Sequence, residues 1–486
     1  MAITNIVLNL LLKKNNPIYT LSFSVFLITL FNPISIENVG LILSVFGTMG
    51  IVLLSNDLNL FLGQYVKNKI LLETISVTLS AQIFLMPIMA YYFNTISFIS
   101  FFSNLIIVPI AEGLSVIGLI SFGISLFSIS LAKLLAVVPY LIVKYIIIST
   151  KICSRFSFLN LVIPTPKIWM LVIFYIFLFF EWKIYKLKYE IVDMSYEIKC
   201  VNYIKNRFYI VALVIVIISF IITKIPKTYD TLTAIDVGQG DSFLITTSAR
   251  KHILIDGGGS ENGTYDVGKN VLLPYLLDNW ITKLDAIFVS HAHADHIEGV
   301  YTLIENLDVK QVFISTYNKD NEYIIYLKEL CAKHHVDIIE VFEEDTIVID
   351  DIKIKVLYPN KDTCDRNENN LSMLLKVFIK DTTILFTGDL EKDIEAKVDF
   401  DVTANILKVA HHGSKTSTTS EFLAKVKPQI SIISVAKDNS FGHPNLEVVE
   451  RLKKISKVLM TKDLGEITLK IYEKNVIEIL GHVKNE

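Results

Sequence analysis

Apolar stretches of membrane-crossing length recur as far as Thr223, and they constrain this chain more than any other feature. Hydrocarbon offers no water to backbone N–H and C=O groups, so a stretch lying in lipid must satisfy them internally and be helical. The reading places spans near residues 18–32, 36–54, 70–93, 95–109, 110–128, 131–150, 168–181 and 208–223. Pro109 and Gly113 interrupt the run from Ile96 to Ile129, which reads as two helices or a broken, partly re-entrant pair. The stretch from Ile168 to Phe180 is short for a full crossing.

Charge divides the chain at the same place. Residues 1–227 carry 17 Lys+Arg and 8 Asp+Glu, whereas residues 228–486 carry 29 and 41, so the halves stand at +9 and −12. A mean hydropathy of +0.49 over 486 residues is too high for an ordinary soluble protein, and the asymmetry separates a membrane domain (1–227) from a water-facing one (228–486). Lys183, Lys186, Lys188, Lys199, Lys205 and Arg207 lie between two predicted spans, and only Lys224 and Lys227 closely follow the last one. The positive-inside rule puts the first group in the cytoplasm and carries everything after Lys227 to the outer face. The expectation is a multi-pass protein of the cell membrane with an extracytoplasmic C-terminal domain.

Three polar residues interrupt the apolar runs: Gln82, Asn104 and Glu112. Ionisable groups inside a membrane are costly and mark pathways, so Glu112 is either a pore residue or an interfacial residue where a helix restarts. Cys153, Cys200, Cys331 and Cys364 show no paired spacing and read as free thiols. The N-terminus MAITNIVLNLLLKKNN has its lysines after the apolar run, so no cleavable signal peptide is expected.

From Thr231 onward, short β-branched strands alternate with turns and amphipathic helices, an α/β layered pattern in which ligands gather where strands end. The strand DAIFVS runs into HAHADH, which sets His291, His293, Asp295 and His296 within six residues. TILFTGD ends at Asp389, a carboxylate suited to bridging two cations, and ILKVAHHGS ends at His411 and His412. Nitrogen and oxygen donors in this pattern suit Zn²⁺ or Mn²⁺. All ten histidines lie in this half; His252, His334, His335 and His482 stand apart from the clusters and read as ordinary surface or core residues. His443, in FGHP, is a further ligand, a contact for a leaving oxygen, or a turn residue. Asp236, Gln239, Gly240 and Asp241 form one strand-end turn and Asp256 with Gly257–Gly259 another; these either orient ligand imidazoles or serve backbone geometry alone. Ser414, Lys415 and Ser417 are placed to grip a phosphate.

These motifs resemble the metallo-β-lactamase superfamily, whose HxHxDH signature matches His291, His293, Asp295 and His296 position for position. The resemblance implies a four-layer αβ/βα sandwich with two divalent metal ions, bridged by Asp389 and supplied with a late ligand by the His411–His412 pair. That superfamily usually places another histidine shortly before the GD strand; here the stretch ENNLSMLLKV has none, leaving Glu368, Asn369, Asn370 or a residue from elsewhere to substitute. AIDVGQGDSFLI, NNLSMLL, FTGDLE, LKVAHHGSKTST and FGHP, together with NPISIENVGLILSVFGTMGI, SAQIFLMPIMAYYF and SFFSNLIIVPIAEG in the apolar half, are similar to the ComEC family of competence channels. That likeness implies an α-helical membrane bundle followed by the sandwich, DNA (one strand) and lipid as partners, and contact with other competence-machinery proteins. ComEC proteins usually begin with further helices and an OB-like domain, and nothing of that kind precedes NPISIEN, so a shortened chain or a separately encoded N-terminal part is expected.

In the expected chemistry two cations lower the pKa of a bridging water for in-line attack on a phosphodiester. His291, His293 and one of His411 and His412 would hold the first ion, and Asp295 with His296 the second. Asp295, Asp389 and His443 are the expected catalytic residues. One feature opposes tight DNA binding: phosphate neutralisation supplies most of such affinity, yet this half is acidic. The same residues would serve a membrane-tethered hydrolase of small phosphodiesters or esters, or an inactive relic in a transport protein.

Overall fold

Helices dominate the first part of the chain because its side chains are apolar on all sides and only an internally bonded backbone suits lipid. The computed structural model describes residues 16–156, 159–190, 195–224, 227–260, 263, 265–317 and 320–482. The chain divides into two units, Met1–Ser219 and Phe220–Glu486.

Among the described residues of the first unit, five helices are long and apolar enough to cross a membrane: Val39–Leu62, Lys69–Phe93, Ile99–Ser125, Ile129–Ser154 and Ile168–Lys186. The two spans expected at 95–109 and 110–128 are one helix, Ile99–Ser125, which runs through Pro109. Continuing past the proline forfeits one backbone hydrogen bond, whereas breaking there would expose several polar groups to hydrocarbon. Thr95–Ser97 instead forms a short strand antiparallel to Asn160–Val162. The apolar stretch after Ile168 continues as helix to Glu190, which removes the objection that it is too short to cross. The span expected at 18–32 is the 15-residue helix Pro17–Phe31, only ~22 Å long at 1.5 Å per residue. The 208–223 stretch lies within the helix Ser195–Lys224. Gln82 Nε2 donates to Ser100 Oγ at 2.9 Å, linking Lys69–Phe93 to Ile99–Ser125. Asn104 is half-buried one turn further on, and Glu112 lies in the same helix with its side chain outside the described residues.

The second unit is built on two sheets. One has the order Asp337–Glu340, Gln311–Ile314, Ala286–Phe288, His252–Ile255, Phe243–Thr246, Asp230–Ala234, Glu466–Ile471, Ile477–His482. The other runs Thr346–Ile349, Ile352–Tyr358, Leu374–Ile379, Thr382–Phe386, Ile406–Lys408, Ile430–Ile433, Lys457–Met460. Alternate residues of each strand face the partner sheet: Leu232, Phe243, Ile253 and Phe288 belong to the same core as Ile354, Leu375, Ile384 and Ile432. The opposite faces are also buried. Leu244, Leu254 and Ile287 pack with Ile297, Leu303 and Leu327 of the helices Ala294–Asn306 and Glu322–His334. Leu385, Leu407 and Ile433 pack with Phe422, Leu423, Val448 and Leu452 of Ser420–Val426 and Leu446–Lys453. Strands covered on both faces read as continuous apolar runs, which is why FLIT, HILI and ILK show little alternation. The result is the αβ/βα sandwich the sequence motifs implied.

Glycines hold the helix that carries HADH. Gly257 N donates to the His296 carbonyl at 2.6 Å, Gly299 N to Gly258 O at 2.9 Å, and Asp241 N to Asp295 O at 3.1 Å. A Cβ on Gly299 would collide with the Gly257 carbonyl oxygen, and one on Gly259 with that of Ala294. The LIDGGG turn therefore needs glycine for close backbone approach. Gly299→Ala should destabilise the second unit by about 1–3 kcal/mol, the usual cost of overpacking, read as a lower Tm.

His252 supplies a pH test remote from the clusters. Burial, reinforced by Lys227, Arg250 and Lys251 and opposed by Asp285, lowers its pKa to about 4. The unfolded chain, with an ordinary histidine near 6.5, therefore takes up the proton first. The His252 contribution to stability is complete above about pH 6.5 and is lost as the pH falls towards 4. His252→Gln should flatten that part of the Tm–pH profile relative to wild type.

Candidate metal centre

Four strand ends bring the polar motifs together. Asp256 follows His252–Ile255, His291 follows Ala286–Phe288, Asp389 follows Thr382–Phe386, and His411 with His412 follows Ile406–Lys408. Asp241 precedes Phe243–Thr246 at the same end. Parallel strands leave their carboxyl ends on one edge, so distant sequence motifs meet there.

The tightest convergence is among Asp295, His296, Asp389 and His412. His412 Nε2 lies 3.3 Å from Asp295 Oδ2 and 3.4 Å from Asp389 Oδ2, and His296 Nε2 lies 3.4 Å from Asp389 Oδ2 and 3.9 Å from Asp295 Oδ1. His291 joins His296 and Asp389 in a second such group. The far sides of the two central imidazoles are anchored. His296 Nδ1 is 3.0 Å from Asp256 Oδ2, and His412 Nδ1 is 3.0 Å from the Ser434 carbonyl, so both Nε2 atoms face inward. This carboxylate–imidazole support fixes ring orientation and raises ligand basicity.

The donor set fits a divalent ion. Four tetrahedral ligands at ~2.0–2.1 Å from zinc stand ~3.3–3.4 Å from one another. The separations above centre on that value. His296 Nε2 and His412 Nε2 are buried with no hydrogen-bond partner, an arrangement that costs free energy unless something else accepts their lone pairs or protons. Electrostatics point the same way. Burial alone would raise the Asp389 pKa, but His412, His296 and Lys408 hold it well below the ordinary carboxylate value. Burial would lower those of His296 and His412, but the facing carboxylates, Asp389 foremost, hold both well above the ordinary histidine value. His291 has no such surplus of carboxylates, and burial pushes its pKa well down.

The assignment of His412 differs from the expectation. It stands with Asp295 and His296, not with His291 and His293, because the left-handed backbone at His411 and His412 turns the second imidazole into the core. His411 is 21% exposed and reaches only to 3.9 Å from Asp389 Oδ2, so the structure distinguishes two residues that the sequence left equivalent. His293 Nδ1 lies 3.1 Å from His291 Nε2. His443 sits at the rim with its ring centroid 5.4 Å from that of His411. Its backbone is tied to Asn439, and burial lowers its pKa to about 4. Asp236 accepts from Gly238 N within its turn, and Gln239 Oε1 is buried without a partner. Ser414 bonds Thr416, Lys415 is exposed, and Ser417 is buried. Of the residues expected to replace the missing histidine, Glu368 accepts from Asn321 and Asn370 donates to Asp365. Ser372 is the residue of that stretch in contact with Asp389, accepting from its backbone N–H at 3.0 Å.

Sequence reasoning missed Lys408. Its ammonium is 2% exposed, pairs with Asp241 Oδ2, lies 3.3 Å from Asp389 Oδ1 and donates to Gly388 O at 2.7 Å. The available signal was a lysine inside the apolar strand ILKVA; buried lysines are rare unless paired.

Comparison with known proteins agrees with both halves. A family model described as "Competence protein" matches residues 1–186, and one described as "Metallo-beta-lactamase superfamily" matches residues 235–323. ComE operon protein 3 of Bacillus subtilis (strain 168) is 33% identical over 252 residues, covering 48% of this chain and 32% of its own length. Recombination protein 2 of Haemophilus influenzae is 27% identical over 60% of this chain and 35% of its own length. Competence protein ComA of Neisseria gonorrhoeae is 26% identical over 50% and 32% respectively. The chain thus spans about a third of the length of each curated relative it matches. Residues 1–186 thus carry a competence-protein segment and residues 235–323 a metallo-β-lactamase domain, joined in that order, and the chain is similar to competence proteins in both halves.

Proposed function

We propose that the chain acts in the internalisation of DNA during natural transformation, with the helical unit forming a passage for one strand and the second unit hydrolysing phosphodiester bonds. The observation that carries this reading is the overlap of the donor groups Asp295–His296–His412 and His291–His296–Asp389, in a chain whose residues 1–186 match the competence-protein model. When bound there, divalent metal supplies an activated water and polarises a phosphoryl oxygen. The residues themselves do the positioning. Asp256 and the Ser434 carbonyl orient the two imidazoles, Asp389 is held in place by Ser372 and Lys408, and burial excludes bulk water from the donor atoms. Ser414 and Lys415 stand beside the late histidines, where a diester phosphate would be gripped. The positive-inside distribution of the lysines supports an extracytoplasmic second unit. Gln82, Asn104 and Glu112 are the proposed polar residues of the membrane pathway.

The test is cleavage of single-stranded DNA by the purified full chain with Mn²⁺ or Zn²⁺, paired with uptake in cells. Chelator should abolish cleavage, and deletion of the gene should reduce transformation without reducing DNA bound to the cell surface. A second reading, a tethered hydrolase of small diesters, is favoured by the −12 charge of residues 228–486, which weakens polynucleotide binding. Cleavage of small diesters with no action on DNA, together with unchanged transformation, would decide for it.

A further inference from the structure

The carboxylate of Asp389 is expected to bridge two ions, but its two oxygens have unequal surroundings. Oδ2 faces His296 Nε2 and His412 Nε2, each at 3.4 Å. Oδ1 faces the Lys408 ammonium at 3.3 Å. That ammonium is fixed from two further directions, by Asp241 Oδ2 and by the Gly388 carbonyl, and it is buried, so solvent does little to screen its charge. Beyond it His291 stands in a group with His296 and Asp389, and among the described residues no further carboxylate joins that group. His291 Nε2 and His293 Nδ1 stand 3.1 Å apart, a spacing at which two imidazoles can chelate. The stretch that would complete a third ligand offers Ser372, which accepts from Asp389 N, Glu368, which accepts from Asn321, and the neutral amide oxygens of Asn369 and Asn370, buried without a hydrogen-bond partner, but no imidazole.

Resting on the reading of this cluster as a divalent-metal site, we propose that the two positions are unequal. One ion is held tightly by Asp295, His296, Asp389 and His412, and a second is held only weakly by His291 and His293, because Lys408 occupies the other oxygen of Asp389. The lysine is a positioning residue: it replaces part of the charge that a second tightly held ion would bring and keeps Asp389 aimed at the first. Chemistry at this centre then depends on how much of the weaker ion the surroundings supply.

Metal titration of the full chain in detergent, stripped with chelator and followed calorimetrically with Mn²⁺, tests this without reference to catalysis. The expected result is one tight equivalent per chain and a second binding event at least about 100-fold weaker, as expected where a buried like charge opposes the ion. Two equivalents of equal affinity would overturn the inference while leaving the metal site intact. No tight ion at all would overturn both. Lys408→Met should strengthen the second event by about tenfold or more, and an unchanged second affinity in that variant would count against the role given to the lysine. Should that variant fail to fold, the wild-type titration still decides.

Discussion

His412→Ala should cost the centre its metal and its hydrolytic activity, whereas His411→Ala should leave most of both. The two residues are neighbours in sequence, and the difference arises from where their rings point. His412 Nε2 is buried, 3.3 Å from Asp295 and 3.4 Å from Asp389, and its other nitrogen is anchored on the Ser434 carbonyl. Removing it deletes one donor and leaves His296 as the remaining imidazole facing both Asp295 and Asp389. Groups that only support a metal ligand typically cost 10–100-fold in affinity or activity when removed, so loss of a donor from the cage should exceed ~100-fold. His411 touches the same carboxylate only at 3.9 Å and interacts with Glu391 at 3.7 Å, so its removal should fall within ~10-fold. Mn²⁺ titration and cleavage rates of the two variants check this side by side. Equal losses in both, or a larger loss at His411, would show that the assignment of the late ligand is wrong.

The largest effect on stability is expected at Lys408. Lys408→Met removes the only lysine ammonium paired with Asp241 and Asp389 among the described ion pairs and leaves two buried carboxylates facing the imidazoles alone. Truncating one partner of a buried ion pair costs about 3–5 kcal/mol because the remaining charge stays desolvated. For a domain of this size that corresponds to a Tm lower by roughly 10 °C, measured in chelator. Divalent metal binds the folded state and not the unfolded one, so adding Mn²⁺ should recover part of the loss. A Tm unchanged in chelator would mean that the lysine does not compensate these carboxylates.

The sequence determined by itself the division of the chain and the identity of most donors. Apolar length and charge asymmetry are local properties, and His291, His293, Asp295 and His296 lie within six residues at the start of one helix, where spacing largely sets neighbourhood. The alternation of strands and helices implied an α/β layered domain, and the resemblance carried by HAHADH, TGD and HHGS implied the sandwich. Local pattern failed where a residue's effect depends on what surrounds it. Pro109 reads as a break, yet lipid makes an interrupted backbone costlier than one lost hydrogen bond, and the helix continues.

Only the tertiary structure decided which of His411 and His412 faces the carboxylates, because that follows from two left-handed backbone positions and the packing of Ser434. It alone placed Lys408 against Asp241 and Asp389, residues 167 and 19 positions away in the chain. Periodicity can say that a strand is buried on both faces. Which charge is buried opposite which depends on the order of strands across the sheets, and that order is set by the packing of the whole domain.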